Sequence, residues 1–257
     1  MPRVPLSGIK GHDYMGAARM IIDRLDTITQ IPEDYRTAKP PAPVSVKIEL
    51  TAHCDFQCFY CATGSKLREK GEIDWEFFRR IVQEMHDEGV KELGVFYLGE
   101  SFLSKHLADA IHYAKKEVGF EYVFLTTNGR MANAERLRAV MEAGLDSLKF
   151  SFNYADAEQC KDMTRVDAFE TVIGHIADAR RVRDDVEAAS GHRCGLYASS
   201  IRYDGAQQER MEQAIELITP NVGYALLAAA LRPGRIDSGG ARHHAGGRQC
   251  GARRQYG

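Results

Sequence analysis

The sequence predicts an α/β fold in which six parallel strands curl into a partial barrel with five helices outside it. Three observations predict it. From Val44 onward, short runs of β-branched and aromatic residues alternate with charged amphipathic stretches, the pattern of repeated βα units. Gly89, Gly119 and Gly144 each follow a helical stretch, where a left-handed stop belongs. The chain has 257 residues, 44% hydrophobic and 27% charged, enough to bury one large core.

In chain order, the strands are expected near Val44–Leu50, Leu93–Leu98, Tyr122–Thr126, Ser147–Phe152, Leu196–Ile201 and Val222–Leu231. The helices are expected near Asp74–Glu88, Lys105–Val118, Ala134–Ala143, Phe169–Ala189 and Gln207–Ile218. Asp74 is placed to cap the first helix, and Phe77, Phe78, Ile81, Val82 and Met85 then recur at helical spacing. In the fourth strand, Leu148, Phe150 and Phe152 alternate with Lys149 and Ser151. The latter pair faces the barrel interior if the aromatics point out to the helices. Active sites of parallel barrels lie at the carboxyl ends of the strands, so the segments after each strand are where chemistry is sought.

Three regions divide the chain. Residues 1–43 form an N-terminal extension with helical periodicity around Met15 to Leu25 and a proline-rich exit at Pro40, Pro41 and Pro43. Residues 44–231 form the core. Residues 232–257 hold six arginines, one acid and seven glycines, a local charge of +5 without apolar periodicity. That break predicts a disordered basic tail or an end altered by a shifted reading frame, with an incomplete last βα unit.

The formal net charge of −2 argues against nucleic acid as the main partner. The longest apolar run, Val222 to Leu231, is about half the ~20 residues a membrane span needs, and the first residues lack the apolar core of a secretory signal. A cytoplasmic protein is expected, whose six cysteines are not a disulfide framework. Cys160 and Cys194 read as small core residues. His106, His112, His175 and His192 have no partners at ligand spacing. The motifs of P-loop nucleotide hydrolysis, HExxH zinc proteolysis and G-x-S-x-G serine hydrolysis are absent.

Cys54, Cys58 and Cys61 lie within eight residues directly after the first expected strand. A structural zinc site normally takes four ligands. His53 offers a fourth, but neighbouring side chains tend to diverge. Iron–sulfur cubanes are held by thiolates, commonly four, so three would leave one iron open to a substrate or cofactor.

Cys54-x3-Cys58-x2-Cys61, with Tyr60 before the last cysteine, resembles the signature of the radical S-adenosylmethionine (radical SAM) enzymes, and the core resembles their SPASM/Twitch-type members. The resemblance covers roughly Val44 to Leu231 and implies a partial (βα)6, TIM-like barrel. It also implies that Cys54, Cys58 and Cys61 bind three irons of a [4Fe-4S] cluster whose fourth iron chelates S-adenosyl-L-methionine. Reductive cleavage would give a 5′-deoxyadenosyl radical that abstracts hydrogen from a peptide or small natural product. A flavodoxin- or ferredoxin-type donor would supply the electron.

Other positions match one at a time. Leu98-Gly99-Glu100-Ser101 resembles the family's GGEP segment, with Leu98 for the first glycine and Ser101 for the proline. Gly99 and Glu100 would meet the methionyl amino group, a charge-assisted pair with close backbone approach. Thr127-Asn128-Gly129 resembles the family's T-N-G turn, which places Asn128 beside the cofactor. Ser151 matches a position that hydrogen-bonds the ribose or carboxylate, with Asn153 nearby. Tyr60 would offer its backbone to the adenine. Ser199, Ser200 and Arg202 are weaker candidates. With only Cys250 in the tail, an auxiliary cluster is not supported. The rival reading is a non-catalytic iron–sulfur electron-transfer or sensor protein, with Cys160 or Cys194 as fourth ligand.

Overall fold

The computed structural model describes residues 35, 37–62, 69–201, 203 and 205–228, the last five as backbone only. The extension before residue 35 and the tail after residue 228 lie outside the described residues, as do Arg202 and Cys250.

Six parallel strands form one sheet in chain order: β1 (Ser45–Lys47), β2 (Glu92–Gly94), β3 (Tyr122–Thr127), β4 (Ser147–Ser151), β5 (Gly195–Ile201) and β6 (Tyr224–Ala228). With β1 and β6 at its two edges, this is the expected partial barrel. The helices are α1 (Trp75–Asp87), α2 (Leu107–His112, continued by a π-helical turn over Tyr113–Val118), α3 (Ala134–Glu142), α4 (Ala157–Thr164), α5 (Phe169–Ser190) and α6 (Ala206–Ile218). The core lies between sheet and helices, where Leu93, Val123, Leu148 and Phe150 meet Phe78, Leu137, Val172 and Ile176, all fully buried.

The first two strands are shorter than the alternating pattern predicts. After Ile48, whose amide still donates to the Gly94 carbonyl at 2.8 Å, the chain changes partners. The Leu50 carbonyl accepts from the Ile73 amide (2.9 Å) and the Ala52 amide donates to the Gly71 carbonyl (2.8 Å). The segment leading into the cysteine loop is thus paired with the segment returning from it.

Asp74 does cap α1, its carboxylate accepting from the Phe77 amide at 2.7 Å. Asp74→Ala is expected to lower stability by about 1 kcal/mol in urea unfolding, as loss of an N-cap does. The three expected glycine stops all adopt positive φ: 97° at Gly89, 97° at Gly119 and 104° at Gly144. Helix α4 escaped the periodicity search because it is short and weakly apolar. Its signal was the D-x-x-Q pattern at Asp156 and Gln159: the Asp156 carboxylate accepts from the Gln159 amide (2.9 Å), and the Gln159 side chain accepts from the Ala155 amide (2.7 Å). Among the described residues, no helix is long and apolar enough to cross a membrane.

Candidate metal-cluster and cofactor site

The three cysteines sit on the loop that leaves β1, and all are free thiols of intermediate exposure. Burial pushes the Cys54 thiol up to about 12, with the nearby carboxylates of Glu100 and Asp55 adding to it. Burial likewise raises the Cys58 thiol, with Cys61 contributing. Such thiols favour the protonated state until a cation replaces the proton. Among the described residues, no three His, Cys, Asp or Glu side chains converge on a single metal ion.

Two neighbours hold the loop in place. On one side, α4 ends with carbonyls that no helical amide can reach. The Gln57 amide donates to the Thr164 carbonyl at 2.8 Å, and the Phe59 amide donates to the Met163 carbonyl at 3.2 Å. On the other side lies the turn after β2. The Glu100 amide donates to the His53 carbonyl (2.8 Å), and the Glu49 carboxylate accepts from the amides of Leu98 (2.9 Å) and Gly99 (2.7 Å). Position 99 must be glycine, because a Cβ there would lie 1.9 Å from the Thr51 carbonyl oxygen.

Glu100 is only 3% exposed. One carboxylate oxygen accepts from the Thr127 hydroxyl (2.7 Å) and the Phe102 amide (3.1 Å); the other accepts from the Asn128 amide (2.7 Å). Burial pushes this carboxyl up to about 7, while the three hydrogen bonds pull it down. A carboxylate offers about four lone-pair directions, so these three bonds leave one on the second oxygen unused.

Asn128 and Gly129 form the expected turn, with Gly129 at φ 85° and the Asn128 side-chain oxygen accepting from the Arg130 amide (2.9 Å). The Asn128 side-chain amide donates to Asp55 at 2.8 Å and lies 3.9 Å from the Cys54 sulfur. Arg130 pairs with Asp55 at 3.0 Å. Asn128 therefore ties the loop after β3 to the cysteine loop. The sequence does not mark Glu49, Asp55 or Arg130, because neither a carboxylate bonded to backbone amides nor a side-chain pair made across the fold has a motif of its own.

Tyr60 and Asn153 are brought together: the Asn153 side-chain amide donates to the Tyr60 hydroxyl at 3.3 Å, and the Asn153 carbonyl accepts from the Tyr203 hydroxyl at 2.6 Å. Burial raises the Tyr60 hydroxyl, and the Cys58 thiol beside it adds to the effect. Ser151 closes β4 in register with Ser199 of β5. Both lie on the sheet face opposite to Phe150, whose ring packs beside Gly129 and Val172 under α5, so they face the barrel interior. Ser200 faces the other way, with its buried hydroxyl unpartnered among the described residues. Two further cysteines lie among the described residues. Cys194 is 1% exposed at the amino-terminal end of β5, the far end of the barrel, and the Cys160 thiol contacts the Val166 carbonyl.

A curled parallel sheet with three thiols on the loop after its first strand, and a buried carboxylate on the loop after its second, defines a parallel-barrel protein built to hold a metal cluster at the carboxyl edge. The chain belongs to the Radical SAM superfamily, whose family model matches residues 48–192. The cofactors of that family are a [4Fe-4S] cluster and S-adenosyl-L-methionine.

Among its relatives is the GTP 3′,8-cyclase of Chlorobaculum tepidum, 30% identical over 127 residues, which make up 49% of this chain and 38% of that protein. Another is the PqqA peptide cyclase of Rhodopseudomonas palustris, 34% identical over 116 residues, 45% of this chain and 30% of that protein. The chain thus spans less than half the length of these relatives. Among solved structures, methylornithine synthase (PylB) aligns with a TM-score of 0.55 at 12% identity, covering 72% of this chain and 52% of that one. The enzyme anSMEcpe with bound AdoMet and the Kp18Cys peptide aligns with a TM-score of 0.54 at 13% identity, covering 74% and 52%. At such identities these two likenesses concern the fold alone.

Proposed function

We propose that the domain is a radical SAM enzyme acting on a small-molecule or peptide substrate. The observation that carries this reading is the cysteine loop itself. Three free thiols lie on one loop that is pinned between the carboxyl end of α4 and the Gly99-Glu100 turn. The relatives named for GTP and for a peptide support the substrate class.

In this reading Cys54, Cys58 and Cys61 hold the [4Fe-4S] cluster. When bound there with S-adenosyl-L-methionine, the cluster would supply one-electron cleavage of the sulfonium and hence radical hydrogen abstraction from the substrate. The protein's own task is to position and exclude. Gly99 admits close backbone approach and the spare lone pair of Glu100 receives the methionyl ammonium. Asn128 fixes the cysteine loop relative to that carboxylate. Ser151 and Asn153 offer polar contacts along the rim, and the Tyr60 backbone meets the adenine. The electron comes from a flavodoxin- or ferredoxin-type donor.

The test is anaerobic. The protein is reconstituted with iron and sulfide, reduced, and given S-adenosyl-L-methionine, and 5′-deoxyadenosine is measured beside a Cys58→Ala control. Product from the parent and none from the variant is expected. A fully loaded parent that neither binds S-adenosyl-L-methionine nor forms product would favour a non-catalytic iron–sulfur protein instead. Cys160→Ser separates the two readings further: its iron content stays at the parental level if three cysteines hold the cluster and falls if Cys160 is a fourth ligand.

A further inference from the structure

The barrel interior holds a charge that the cofactor chemistry does not use. Lys149 lies in the middle of β4 on the same face as Ser151, one pleat or about 7 Å farther from the carboxyl edge. It is partly buried and has no hydrogen-bond or ion-pair partner among the described residues. Its register neighbour on β3 is Thr126, whose hydroxyl oxygen is buried and also lacks a partner among them. Adjacent strands therefore pair a lysine with a residue whose hydroxyl is unused.

A second ammonium joins them. Lys47 on β1 shares this face, because Lys47, Gly94, Phe124 and Ser147 are in register across β1 to β4. A Cβ at Gly94 would lie 3.0 Å from the Lys47 side chain and 2.9 Å from the Phe124 ring, so glycine lets these two side chains pack against the β2 backbone. The Lys47 ammonium sits over the Phe96 ring, 5.1 Å from its centre. Lys47 and Lys149 are three strands apart, yet among the described residues Lys47 is the charge that acts on Lys149, which burial and this repulsion hold below the usual lysine range. Both lie on the concave face of the sheet, Lys149 partly buried and Lys47 exposed. The acids of that face lie elsewhere. Glu49 accepts the Leu98 and Gly99 amides, and Glu92 lies at the amino-terminal end of β2.

Two like charges on one face of the sheet repel each other, and burial adds a desolvation cost to Lys149. An anion between them would offset both, and the Thr126 hydroxyl would give it a third donor. Resting on the radical SAM reading above, we propose that the substrate carries a carboxylate or phosphate group, which Lys149, Lys47 and Thr126 hold inside the barrel. This would fix the depth at which the rest of the substrate meets the cofactor.

The test uses the full reconstituted chain with inorganic phosphate and N-acetylglycine as separate anion probes. Binding is read by ligand-observed NMR, and S-adenosyl-L-methionine affinity is measured in parallel. The parent and Lys149→Arg should bind at least one probe, and the preferred probe tells phosphate from carboxylate. Lys149→Met, which fills the same space without charge, should bind it about tenfold to a hundredfold more weakly, the range for a lost hydrogen bond to a charged group. A parent that binds neither probe, or a Lys149→Met protein that binds as well as the parent, overturns the proposal. So does a Lys149→Met protein that loses S-adenosyl-L-methionine affinity in step with the probe, since the lysine would then serve the cofactor's carboxylate. Probe binding does not depend on 5′-deoxyadenosine formation, so this proposal and the radical SAM reading fail separately.

Discussion

Gly99→Ala is expected to destabilise the domain by about 3 kcal/mol or more and to reduce the iron it retains after reconstitution. The added Cβ would stand 1.9 Å from the Thr51 carbonyl oxygen, a backbone atom with no rotamer to retreat into. One of two backbones must move. If the turn after β2 moves, it strains the two amide bonds to Glu49 and the bond from the Glu100 amide to the His53 carbonyl. If Thr51 moves, it drags the antiparallel bridge to Glu72 and the start of the cysteine loop. Either route reaches Cys54 within three residues. Urea unfolding and iron content of the reconstituted variant check both halves, and a variant with parental values in both would show that the turn yields freely.

Glu100→Ala is expected to cost about 2–4 kcal/mol before any cofactor is bound. It orphans three donors at once: the Phe102 amide, the Thr127 hydroxyl and the Asn128 amide. Each buried orphan costs about 1–3 kcal/mol, less what a water in the new space restores. Glu100→Gln separates shape from charge. Its side-chain oxygen can still accept at one end, and the Thr127 hydroxyl can turn to accept at the other, so one backbone amide is stranded rather than three groups. The Gln variant should therefore lose about a third of what the Ala variant loses in urea. Its S-adenosyl-L-methionine affinity should nevertheless fall, because the ammonium would meet a neutral amide. Equal losses in the two variants would mean that the three internal bonds matter little.

The fold was legible in the sequence because its signals are local. Alternation marked all six strands, and the cap at Asp74 and the glycine stops at Gly89, Gly119 and Gly144 fell where the structure has them. The strand ends were less legible. Where β1 stops is decided by a partner more than twenty residues away in sequence, the chain returning through Gly71 and Ile73. Helix α4 has too few apolar residues for periodicity to find, and its capping pattern was the only local mark.

The site divides in the same way. The three cysteines and the Gly99-Glu100 pair carry spacing that chemistry demands, so they could be read directly. Glu49, Asp55, Arg130 and the carbonyls of α4 act by bonding to backbone or to one another across the fold, and such pairings leave no pattern in a single sequence. Lys149 lies between: alternation placed it on the interior face, but only the register with Thr126 and the curl that brings Lys47 near show what it faces.

The seat of the cysteine loop on α4 also sets an order of events. The Gln57 amide finds its acceptor, Thr164, more than a hundred residues later in the chain. A contact of such span forms late, because the intervening segment must first be gathered in. During synthesis the three thiols emerge early, and their loop is held on one side only until the fourth βα unit has folded. Iron and sulfide that arrive before then would meet a loop seated on one side only, so cluster insertion into this domain is expected to follow translation of α4 rather than to guide it.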